Sequence, residues 1–258
     1  MPVAYPLSGG VINEGSGLTD SKANAGFLWV EEDSGNLPQV WLLGHNGTVD
    51  KAIPITGAVN RDWEDIALST GPDAGKNYLY LGDIGDNDAK YSDYTFYRFE
   101  EPLRAVNAVT VFDKIVFTYP DGAHDAEAFL VDAATKDIYI ITKRDAKSRI
   151  FRLAYPQSTT SSNMAVFDSD LNYNGVVSAA QTPDGTGIIL KTYTGLFYYT
   201  RKSGETIAAA LHSAVNTLSY QLEPQGEAVA FANDNTGFYT LSEKSSAPSV
   251  SLNFYKKK

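Results

Sequence analysis

The chain of 258 residues has no cysteine and only three histidines. Disulfides and thiolate metal sites are therefore excluded, and any metal must rely on oxygen ligands. Basic residues are also scarce: 21 Lys and Arg stand against 31 Asp and Glu, a net charge of −10. Nucleic acids and anionic membranes need a positive field, so neither is an expected partner. No apolar run approaches bilayer length, and no signal peptide is read at the start. The chain lacks a G-x-S-x-G elbow, a phosphate-cradling Gly-Lys-Ser/Thr loop and a dinucleotide fingerprint. Helical periodicity is weak throughout; only "GETIAAALHSAV" (204–215) reads as a helix.

Aromatics are plentiful instead, with 16 Tyr and 12 Phe, and these favour strands. The strands recur in register. "DAEAFLVDAATKDIYIITK" (125–143), "GVVSAAQTPDGTGIILKTY" (175–193) and "QGEAVAFANDNTGFYTLSE" (225–243) align without gaps, fifty residues apart. "EGSGL" (14–18) and "EDIAL" (64–68) show the same fifty-residue step. A surplus between 64 and 127 falls in the loop-like stretches "GDIGDNDAKYSD" and "EPLRAVNA". Each unit reads as an alternating strand, a polar turn and two or three further strands.

Five such repeats predict an all-β, five-bladed β-propeller spanning 1–258 as one domain, since a lone four-stranded sheet cannot cover both its faces. The alternative is a β-sandwich. "PVAYPLSGG" reads as an outer strand with no third strand before it, and the last unit stops after "SVSLNFY". The N-terminal strand is thus expected to close the ring, removing two open edges.

In a propeller the first strand of each blade lines the axis. The repeat places Glu14, Glu64, Glu127 and Glu227 at one level, with Val177 as the gap. Crowded carboxylates must bind a cation, hold protons or pair with basic groups. Oxygen ligands point to calcium, with magnesium or sodium as alternatives. The competing reading is that the glutamates bond to backbone N–H groups. One mouth of the channel is expected to carry Arg61, Asp62, His124 and Asp125 as ligand-binding groups. If the protein is an enzyme, Asp62, Glu64, Asp125 and Glu127 are the candidate catalytic carboxylates. "GDIGDND" (82–88) reads either as a cation loop or, without EF-hand spacing, as a hydrogen-bonded turn. Trp29, Trp41 and Trp63 read as core.

The motifs "SGL", "LWVEEDSGN", "DWEDIAL", "YLYLGDIGDN" and "DAEAFLVD" resemble a family of uncharacterised exported bacterial β-propeller proteins. More distantly, the chain is similar to phytase-like and strictosidine-synthase-like propellers. The resemblance implies a propeller, an axial cation and secretion or a periplasmic location, with Met1 standing ahead of a mature chain. It implies no reaction, and the Lys/Arg cluster of a phytase site has no counterpart here. Two functions are therefore expected in competition. One is a binding or scaffold propeller taking a small-molecule, carbohydrate or peptide ligand as a monomer. The other is a metal-assisted hydrolase acting on a phosphoester, lactone or glycoside.

Overall fold

The computed structural model describes residues 1–257 and is a five-bladed β-propeller. The first blade is β2 (Gly15–Asp20), β3 (Phe27–Glu32), β4 (Gln39–Gly44) and β5 (Val49–Pro54), following the short strand β1 (Val3–Pro6). The second is β6 (Trp63–Thr70), β7 (Asn77–Asp83), β8 (Tyr94–Glu100) and β9 (Asp113–Thr118). The third holds β10 (Ala126–Val131), β11 (Ile138–Thr142) and β12 (Arg149–Leu153). The two-residue β13 (Asn163–Met164) then pairs back in parallel onto β9, and β14 (Val166–Asp170) completes the third blade. The fourth has β15 (Val176–Gln181), β16 (Gly187–Thr192), β17 (Gly195–Thr200) and β18 (Val215–Leu218), with helix α1 (Ile207–Leu211) before its last strand. The fifth has β19 (Gln225–Phe231), β20 (Gly237–Glu243) and β21 (Ser251–Lys256).

The ring closes as the sequence anticipates. β1 pairs antiparallel with β21 as the outer strand of the fifth blade, Val3 opposite Phe254 and Pro6 opposite Ser251. The inner strands β2, β6, β10, β15 and β19 touch in that order, and β19 returns to β2. The core lies between blades. Trp29 and Trp63 meet Leu79, Leu81 and Tyr97 between the first two. Phe96, Phe117, Phe129 and Phe151 pack between the second and third. All three tryptophans take packing or hydrogen-bonding roles, with Trp63 Nε1 donating to Val59 O at 2.9 Å. The helix is shorter than the pattern suggests. Thr206 caps it, accepting from Ala209 N at 3.1 Å, and Val215 onward is claimed by pairing with β17.

One buried carboxylate ties the first two blades together. Glu101 Oε1 accepts from Ser21 Oγ (2.6 Å), Lys22 N (3.1 Å) and Trp29 Nε1 (3.0 Å), and Oε2 accepts from Ala23 N (3.1 Å). Its loss strands several donors at once. We expect Glu101→Ala to destabilise the fold by about 2–3 kcal/mol, read as a shift in the urea midpoint at unchanged slope.

Every inner strand carries a β-bulge at the same level. Pairing skips Ser16 in β2, Glu127 in β10, Val177 in β15 and Glu227 in β19. In β6 it skips two residues, Glu64 and Asp65. A bulge re-aims the unpaired side chain, and here it aims each one at the channel. This changes the sequence alignment in the first unit. Ser16, not Glu14, is the structural equivalent of Glu64, and Asp65 stands at the level of Gly17, Ala128, Ser178 and Ala228, since pairing also passes over Gly82 of β7. Glu14 is exposed and accepts from Asn36 Nδ2 at 2.6 Å.

Candidate functional site

Inner strands begin, and second strands end, at the same mouth, so acids at the ends of β3 and β20 join those at the starts of β6, β10 and β19. The ring that results is Ser16, Glu64, Glu127, Val177 and Glu227, with Glu31, Asp33, Asp62, Lys143, Tyr193 and Glu243 around it. Ser16 Oγ donates to Glu64 Oε2 at 2.8 Å, so these equivalent positions of adjacent blades touch.

The two halves of this ring differ in charge balance. On the side of the third to fifth blades, Lys143 pairs with Glu127 and lies 3.8 Å from Glu227. Its ammonium also donates to Tyr193 Oη at 3.0 Å, and Tyr193 in turn donates to Glu227. Burial and these acids act in opposite directions on Lys143, and the acids win, raising its pKa. Burial raises Glu127 to about 8 although Lys143 opposes the shift. Glu243 is raised to about 9, by burial first and then by its hydrogen bond with Glu227.

On the side of the first two blades, ligand oxygens of Asp33, Asp62 and Glu64 all lie within 4.8 Å of one another. No basic group among the described residues pairs with any of them. Burial raises Glu64 well above the usual carboxylate range, reinforced by the charges of Glu127, Asp33, Glu227 and Glu31. Burial likewise raises Asp62, and lifts Asp33 to about 7. Beneath them, Glu31 is completely buried, and neither of its oxygens has a hydrogen-bond partner among the described residues. It fits only because β2 has Gly17 there: a Cβ at 17 would sit 2.6 Å from Glu31 Oε1. Its pKa is pushed far up by burial, then by Asp33 and Asp65.

Asp65 reaches across the channel below this level. The residue has φ of +64°, and its side chain crosses from the second blade to the fourth. Its carboxylate accepts from Ile66 N (3.0 Å), Ala179 N (3.0 Å) and Ser178 Oγ (3.2 Å), while Ser178 Oγ accepts from Val229 N (3.2 Å). One side chain thus ties the second, fourth and fifth blades across the axis.

The remaining expected residues are distributed as follows. Asp125 is buried, with Oδ1 accepting from Asp86 N at 2.8 Å and Oδ2 2.6 Å from Arg144 Nε. Asp86 accepts from Lys90 N, Tyr91 N and Tyr94 Oη, so "GDIGDND" folds as a hydrogen-bonded turn at this residue. The nitrogens of His124 each lie 3.1 Å from a carboxylate, Asp145 or Asp121, with the ring against Tyr119 and Phe151. It therefore does not join Asp62. Arg61 stacks its guanidinium 4.0 Å over Tyr91 and donates to Asp93 O. Glu31, Asp33, Lys143 and Glu243 were not singled out from sequence, and Asp65, one of three acids in "NRDWEDIALS" (60–69), was given no role. The acidic run "VEEDSG" at the end of β3 was the available signal for the first two.

No protein-family model and no curated protein sequence matches the chain. Among solved structures it is similar to hydrazine synthase of Kuenenia stuttgartiensis. That match has 10% identity and a TM-score of 0.47, and covers 94% of this chain and 71% of the other. Likeness at this level says nothing about what this chain binds.

Proposed function

We propose that the protein is a ligand-binding propeller whose channel mouth holds a hard cation, calcium in first place, on Asp33, Asp62 and Glu64. The observation that carries this reading is the uneven charge balance. Lys143 compensates Glu127 and Glu227, whereas Asp33, Asp62 and Glu64 converge with no basic partner. Three carboxylate oxygens within reach of one point suit a hard cation, and the partnerless Glu31 adds negative potential beneath it. The ligand set moves from the glutamate ring of the sequence reading to the first two blades. Glu127 and Glu227 act through Lys143, and Glu14 lies outside.

Such an ion bridges the ring's first and second blades and presents its outer face to the mouth. A carbohydrate, peptide or small-molecule oxygen can complete its coordination there. The alternative, hydrolysis through Asp62, Glu64, Asp125 and Glu127, draws less support: Asp125 and Glu127 are paired with Arg144 and Lys143, whereas Asp62 and Glu64 have no basic partner among the described residues. Export, as the motif resemblance implies, suits a calcium site of extracellular affinity.

Calorimetric titration tests the ion directly. Calcium is expected to bind with one site per chain and a Kd of about 10⁻⁶ to 10⁻³ M. Asp33→Asn and Asp62→Asn should each weaken it by about tenfold or more. Glu14→Gln should leave it unchanged. Absence of calcium, magnesium and sodium binding in the native chain sinks the proposal.

A further inference from the structure

The opposite mouth, where the inner strands end, opens on a separate cavity of about 420 Å³ lined by all five blades. Its inner wall includes Ile66 and Ala179, the residues whose N–H groups bind Asp65. The Asp65 tie therefore stands between this chamber and the acidic mouth.

We propose that this chamber binds a neutral carbohydrate of one or two sugar rings. Its volume falls within the range of small-molecule sites and equals roughly fourteen waters at about 30 Å³ each. Three acids (Asp20, Asp132, Asp184) and three bases (Lys22, Arg201, Lys202) line it, a formal balance of zero. The acids already have partners. Asp132 takes Arg201, Asp20 takes His45 at 2.7 Å and Asn233 N at 2.7 Å, and Asp184 takes Thr182 and Thr186. A net ionic ligand gains little in such a lining.

The wall itself offers two surfaces. Leu18, Leu130, Ala180 and Ala230 supply apolar contact. Each inner strand is the last in its sheet, so its channel-side N–H and C=O groups have no strand partner. Five such edges converge on a short chamber. An extended peptide pairs with one edge along its length, whereas a compact ring of hydroxyls, each both donor and acceptor, can meet several edges at once. A sugar's C–H face then lies on the apolar residues.

The test uses the full chain with glucose, galactose, mannose, N-acetylglucosamine, maltose and cellobiose, read by saturation-transfer NMR and calorimetry. At least one should bind with a Kd below about 5 mM. Gln181→Trp and Thr70→Trp, at half-buried rim positions, should each weaken it about tenfold or more; a cooperative melt checks that each variant folds. Asp62→Asn and chelator should change nothing, which separates this chamber from the cation site. The proposal fails if none of the sugars binds at about 20 mM. It also fails if binding survives in every Trp variant that folds, or if chelator abolishes it, which would move the sugar to the other mouth.

Discussion

Chelation is expected to lower the melting temperature of this protein by about 5–10 °C, and added calcium to restore it. A ligand at about a hundred times its Kd stabilises the native state by about 2.7 kcal/mol, and a chain of this size moves about 2–4 °C per kcal/mol. The effect has a mechanism beyond mass action. Without the ion, Asp33, Asp62 and Glu64 repel one another and must hold protons. Glu64→Gln removes one of those charges. It should raise the melting temperature in chelator while shrinking the response to calcium, a crossing that a merely destabilising substitution does not produce. If chelator leaves the native melt unmoved and elemental analysis finds no metal, the axial ion is absent.

The buried carboxyls around the acidic mouth set the pH response of the ion-free protein. Their folded pKa values lie above the unfolded ones: Asp33 at about 7, Glu127 at about 8, Glu243 at about 9, with Glu31 and Glu64 also raised. A raised carboxyl favours the folded state fully below its unfolded pKa, about 4, and that contribution is lost as pH climbs through the folded value. In chelator, stability should therefore fall between about pH 5 and 9, while calcium should flatten the slope by replacing protons. Urea midpoints across this window, with and without calcium, measure both arms. A rise in stability with pH in chelator would contradict the assignment.

Asp65→Ala is expected to cost about 3–5 kcal/mol. The substitution strands Ile66 N, Ala179 N and Ser178 Oγ in the middle of the molecule, and an alanine at φ of +64° adds strain of about 1 kcal/mol. Asp65→Asn keeps one acceptor oxygen and tolerates the left-handed conformation, so it should lose markedly less. The order Asp, Asn, Ala in urea midpoint is the diagnostic result. Equal losses for Asn and Ala would mean that the cross-axis hydrogen bonds contribute little. A lost tie should also open the floor between the two mouths, seen as faster amide exchange at Ala179 and Val229.

The five-blade architecture was legible because blades are repeats. Each must present the same alternation to the same neighbours, so units from 125, 175 and 225 carry the same register in plain view. Closure by the N-terminal strand was legible for a related reason: a blade short of one strand at the end and a spare strand at the start have one economical solution. That periodicity set Glu64, Glu127 and Glu227 at one level, and each of them falls at the bulge of its inner strand.

The details of the site were decided by tertiary structure. The bulges are invisible to a spacing argument, since an extra residue leaves the strand pattern intact while rotating one side chain out of it. The first unit was aligned two residues off, with Glu14 in place of Ser16, because the fifty-residue step matched Leu18 to Leu68, whereas its counterpart in the ladder is Ile66. Glu31 lies on β3 and Asp33 just past its end, and β3 runs opposite to the first strands, so their meeting with Asp62 and Glu64 depends on strand direction and on the room that Gly17 leaves. Lys143 is one of 21 Lys and Arg residues in the sequence, and only packing places it between Glu127 and Glu227. Sequence by itself determined how many blades there are and which strands face the axis, because those follow from local periodicity. Which carboxylates meet, and which are neutralised, rests on long-range contacts between blades that periodicity does not encode.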